Sequence, residues 1–113
     1  MKRLLLPVLL LAGCGGGAQQ DLPSIGEARS LAAEWAMIND LAAHGRINAT
    51  YAHAMRAQLR EQLKSAAATL TQPDTRYGEE IQTLLTEPDE APPEELRTHS
   101  EKLKQIEDSL ESA

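Results

Sequence analysis

The chain has 113 residues, one cysteine, and 11 Lys and Arg against 17 Asp and Glu, a formal net charge of −6. That length makes one small domain and excludes a multidomain enzyme, while a single cysteine excludes an intrachain disulfide framework and a cysteine-rich zinc fold. The acidic balance argues against a nucleic-acid partner, because neutralising phosphates needs a basic face.

Met1-Lys2-Arg3 is a short positive segment, and Leu4 to Ala12 is an apolar run containing Pro7. Crossing a bilayer takes about 20 apolar residues, so the run is too short to span and reads as a secretory signal core. Leu11-Ala12-Gly13-Cys14 follows it directly. This tetrapeptide resembles the lipobox of bacterial lipoproteins. The resemblance implies cleavage between Gly13 and Cys14, removal of a signal peptide at 1–13, a diacylglyceryl group on the Cys14 thiol, and acylation of the new amino group by palmitate or a similar chain. Two or more acyl chains give stable anchoring without a transmembrane helix. The family's sorting rule, with Gly15 in place of an inner-membrane Asp, implies the periplasmic face of the outer membrane. The competing reading is a buried free cysteine beside an N-terminal core helix. It requires Gly13, Gly15, Gly16 and Gly17 in or near that helix, at roughly 1 kcal/mol for each glycine.

Residues 14–21 are expected to be the lipidated cysteine and a flexible tether, Gly15 to Asp21 spanning roughly 15 Å as a coil. Residues 22–113 are expected to be all-α: a small antiparallel bundle of three to four helices, the two longest forming an αα-hairpin. Ala, Leu, Glu, Gln and Arg dominate and no Phe occurs, which favours helix over strand. The first helix is predicted from Ile25 to about Ala43, capped by the S-x-x-E pair Ser24 and Glu27, with Ala28, Leu31, Trp35, Ile38 and Leu41/Ala42 as its apolar stripe. Gly45 suits a left-handed C′ position. Asn48 would cap the second helix, whose stripe is Tyr51, Met55, Leu59, Leu63, Ala66/Ala67 and Leu70, ending before Pro73. A short third helix over about 75–86 would be capped by Asp74 and present Tyr77, Ile81, Leu84 and Leu85, with Gly78 weakening it. The last helix starts at Pro93, which suits a first turn, and runs to Ser109 or beyond. Its apolar seam is Leu96, His99, Leu103, Ile106 and Leu110.

Candidate chemistry is sparse. His44, His53 and His99 are the only imidazoles. Glu95 and His99 have the i,i+4 spacing that can direct two ligands to one metal, but zinc needs three or four. No Gly-rich phosphate loop, G-x-S-x-G, H-E-x-x-H or C-x-x-C occurs beyond Cys14, so no catalytic, metal or cofactor site is expected. Trp35, the single tryptophan, reads as a core anchor. Residues 21–72 carry five acids and five bases, whereas 73–113 carry twelve acids and four bases. Loss of Lys2 and Arg3 with the signal would leave 9 bases against 17 acids, a net −8, all from 73–113. The expected function is a non-enzymatic, membrane-anchored helical interaction or structural module. The alternative is an acidic inhibitor or immunity-type protein. In either case the 73–113 region would face a basic protein partner.

Overall fold

The computed structural model describes residues 17–113, and over these the protein is all-helical. A single turn, α1 (Gly17–Gln20), leads into α2 (Leu22–Ala43), α3 (Ala49–Ala68), α4 (Arg76–Leu85) and α5 (Pro93–Glu111). α2 is the central element; it packs along α5 and α3, while α4 closes against α3, α5 and α2. Both long neighbours run antiparallel to α2. Near the start of α2, Ser24 meets Thr69 and Arg29 meets Glu107, and farther along it Asn39 meets Arg56. The hairpin and the small antiparallel bundle are therefore as expected.

The core follows the predicted spacing in α2. Ile25, Ala28, Leu31, Ala32, Trp35, Ala36 and Ile38 are buried there, facing Leu59, Leu63, Ile81, Leu84, Leu96 and Leu103. At the hairpin turn Gly45 has φ 68°, a left-handed conformation that a side chain disfavours, and Asn48 Oδ1 accepts from the Tyr51 amide at 2.7 Å.

Four sequence expectations shift. Of the tether expected over 14–21, residues 17–21 are structured, with Gly17–Gln20 helical and Asp21 0% exposed, and 14–16 lie outside the described residues. α2 begins at Leu22 with Pro23 in its first turn, and the Ser24 hydroxyl pairs with Thr69 Oγ1 at 2.8 Å instead of forming a capping box. In α3 Leu59, Leu63 and Ala66 are buried as expected, but in its first two turns Ala52 and Arg56 are inside in place of Met55, which is half-buried, and Tyr51, which is 53% exposed. Thr75, rather than Asp74, caps α4 by accepting from the Gly78 amide at 3.2 Å. Gly78 is needed at this point, since a Cβ there would collide with the backbone carbonyl of Pro73.

Candidate functional site

The lipobox residues, Gly13 and Cys14 included, lie outside the described residues. Within them, buried polar groups gather at two ends of the bundle.

At the start of α2, the Asp21 carboxylate sits beneath the α3–α4 connection. Oδ1 accepts from the Thr71 amide at 2.8 Å, and Oδ2 accepts from the Gln72 amide at 3.1 Å and the Tyr77 hydroxyl at 2.7 Å. Burial alone would raise its pKa. The hydrogen bonds from Thr71, Tyr77 and Gln72 outweigh burial and hold it below the ordinary carboxylate value. One side chain thereby fixes three segments. Its role is structural, and it offers no open position to a substrate.

The other end is organised around the turn between α4 and α5, where the Ala91 amide donates to Pro88 O at 3.0 Å. Trp35 Nε1 donates to Asp89 O at 2.9 Å, and Asn39 Nδ2 donates to Asp89 O and Ala91 O at 3.0 and 2.8 Å. Arg60 lies over the Trp35 ring, 4.8 Å from its centroid, a cation–π contact. Its guanidinium donates to Asp89 Oδ1 at 2.7 Å, to Leu85 O at 2.9 Å and to Glu87 O. A cation on the last carbonyls of α4 also complements the helix dipole. Asn39 Oδ1 accepts from Arg56 Nε at 2.8 Å, carrying the network across to α3.

His99 lies between two carboxylates. Its Nδ1 is 2.5 Å from Glu80 Oε2 and its Nε2 is 2.6 Å from Glu87 Oε2. Both nitrogens can donate only in the imidazolium form. Burial opposes that charge, but the hydrogen bonds and negative charges of Glu80 and Glu87 outweigh it and raise the pKa above the ordinary histidine value. Both ring N–H directions are taken up by these two carboxylates. Glu95, the i,i+4 neighbour, makes no hydrogen bond or ion pair with the ring; a hydrogen bond to Glu87 and that group's charge raise the Glu95 pKa, against the smaller opposing charge of His99. His44 and His53 are exposed, His44 Nδ1 lying 2.9 Å from Asp40 O. No cluster of three His, Cys, Asp or Glu side chains able to hold a metal occurs among the described residues.

No protein-family model matches the chain, and comparison with curated proteins and with solved structures finds no match.

The acidity of 73–113 is partly answered from within the fold. Glu107 pairs with Arg29 at 2.6 Å, Asp89 with Arg60 at 2.7 Å, and Glu80 and Glu87 hold His99. Glu90, Glu94 and Glu95 remain exposed around the start of α5, and none makes an ion pair within 4 Å among the described residues.

The sequence reading missed Asp21, Asn39, Arg56 and Arg60 as organising residues. A signal existed for two of them. Asn39 falls four residues after Trp35 on the α2 stripe, and Arg56 falls three before Leu59 on the α3 stripe. A polar residue in an apolar register needs a built partner.

Proposed function

We propose that the chain is a bacterial envelope lipoprotein whose helical bundle is a non-enzymatic interaction module. Cys14 carries the lipid, residues 1–13 are removed, and the bundle sits at the periplasmic face of the outer membrane. The run Leu11-Ala12-Gly13-Cys14 behind a short apolar segment carries this reading. No helix among the described residues is long and apolar enough to cross a membrane, so attachment in this reading rests on the lipid.

The fold adds a constraint to the proposal. Only Gly15 and Gly16 separate Cys14 from the first described helix, and three Cα–Cα steps span at most about 11 Å. The α1 end of the bundle would then lie against the lipid headgroups. The opposite end, with the α2–α3 hairpin and the 88–91 turn, would stand roughly 30 Å away, the length of the 22-residue α2. Glu90, Glu94 and Glu95 are at that distal end, which suits a basic protein partner better than an anionic lipid surface.

Two measurements test the reading. Palmitate should label the wild-type chain in cells and leave Cys14→Ala unlabelled; equal labelling of both contradicts the anchor. Cross-linking from positions near Glu90 and Glu94 should capture one specific envelope protein, and Glu90, Glu94 and Glu95→Gln should lose it. The exposed distal acids also favour the second reading, inhibition of a cationic hydrolase or toxin. Salt-dependent inhibition of a basic lysozyme by the wild-type chain, lost in the same variant, would identify that activity.

A further inference from the structure

Each basic side chain of the distal network has an acidic partner except one. Arg60 has Asp89, and His99 has Glu80 and Glu87. Arg56 is only 9% exposed, yet no carboxylate lies within 4 Å of it among the described residues, and the sequence before Gly17 contains no Asp or Glu. Its Nε donates to the neutral Asn39 amide. Its two Nη groups donate to no protein atom among the described residues. The stem of Arg56 is buried while the Nη edge reaches solvent through the cleft, and that free edge has the geometry that binds a carboxylate through two parallel hydrogen bonds.

Arg56 lines a cleft of about 340 Å³ between the end of α2, the start of α3 and the segment preceding α5. The wall around it is short and apolar, with Ala52 and Ala91 buried and Ala42, Ile47 and Pro93 partly exposed. Asn39 cannot turn to serve a ligand, because its Nδ2 is held by Asp89 O and Ala91 O; it fixes Arg56 in place instead. Glu90 is the one acid on the lining. It is exposed, so water screens its repulsion of an anion held at Arg56, and it can accept an N–H from a ligand.

We infer that this cleft binds a monocarboxylate on a short apolar body, the carboxylate pairing with Arg56 and the body lying on the alanine wall. A peptide chain end and a free aliphatic acid share that chemistry. The inference does not depend on lipid attachment, and it would hold for the full chain in detergent.

The test is titration of the ¹⁵N-labelled full chain with acetyl-Ala-Ala, with its C-terminal amide, and with 4-methylpentanoate. The amides of Ala52 and Ala91 and the side-chain amide of Asn39 are the reporters. At least one of the two acids should shift these signals saturably and bind at least ten-fold more tightly than the amide. Preference for acetyl-Ala-Ala identifies a chain end, and preference for 4-methylpentanoate identifies a free acid. Arg56→Gln should weaken binding at least ten-fold, and Arg56→Lys less. Ala49→Leu, at the exposed rim of the cleft, should block it while leaving the thermal midpoint and Arg56 in place. Equal binding of acid and amide, unchanged affinity in folded Arg56→Gln or Ala49→Leu, or no saturable shift by either acid would overturn the inference.

Discussion

Tyr77 of α4 donates its hydroxyl to Asp21 Oδ2 across 2.7 Å, bonding the fourth helix to the residue that precedes the second. The same carboxylate holds the Thr71 and Gln72 amides. Asp21→Ala would leave these donors without their acceptor and should cost about 3 kcal/mol, at ~1–3 kcal/mol for each buried group left unpaired. Urea unfolding of both proteins at pH 7 measures it. The folded-state pKa of Asp21 is depressed, so its contribution is full above the unfolded value of about 3.9 and is lost as pH falls through the folded value. The gap between wild type and Asp21→Ala should therefore narrow at low pH.

His99 should give stability the opposite slope. Its folded-state pKa is raised, so its contribution is complete below about 6.5 and declines as pH rises through the folded value. Deprotonation leaves Glu80 and Glu87 sharing one donor between them. His99→Gln should remove this slope and destabilise by about 3 kcal/mol at pH 6, because a carboxylate is left buried without its cation. Urea midpoints between pH 5.5 and 9, with the imidazole titration followed by NMR, check both statements.

Arg60 and Trp35 provide an optical readout, since Trp35 is the only tryptophan. Arg60→Ala removes the contact over the indole and the bonds to Leu85 O, Glu87 O and Asp89. A loss of about 2–3 kcal/mol is expected from the unpaired carbonyls and the lost charge-assisted bonds. Trp35 emission should shift to the red as the 88–91 turn loosens. An unchanged emission maximum with an unchanged thermal midpoint would show that Arg60 does not hold the turn.

The helices were readable where apolar residues recur at three and four. Leu96, His99, Leu103 and Ile106 are all buried on α5, as the seam requires. On α3 the stripe holds from Leu59 onward and fails only at its start, where Ala52 and Arg56 are buried and Tyr51 is exposed; hydrophobicity favours Tyr51 over Ala52, and the Arg56 partner Asn39 lies on another helix. Pro23 marks the start of α2, since proline belongs in a first turn, one residue before the S-x-x-E pair on which the sequence expectation rests. Asp21 was placed in the tether because nothing local marks a carboxylate whose partners are 50, 51 and 56 residues away. The Arg56 cleft has the same character: its polar members come from α2, α3 and the segment before α5, and only folding brings them together.

Charge removal at the distal surface should separate binding from folding. Glu90, Glu94 and Glu95 are exposed and lack ion-pair partners among the described residues, so the triple change to Gln should move stability by no more than about 0.5 kcal/mol per site. Capture of a basic partner should weaken, and most strongly at low ionic strength, where exposed charges are least screened. Capture that ignores both salt and these three residues would place the partner elsewhere on the bundle.

The intact mass of the protein purified from membranes tests the central claim most directly. The account predicts a chain that starts at Cys14, lacks residues 1–13, and carries a diacylglyceryl group on sulfur with a further acyl chain on the amino group. Cys14→Ala should keep residues 1–13 and carry no lipid. A purified wild-type chain of unmodified mass, or a Cys14→Ala chain cleaved at the same place and still lipid-bound, would contradict it.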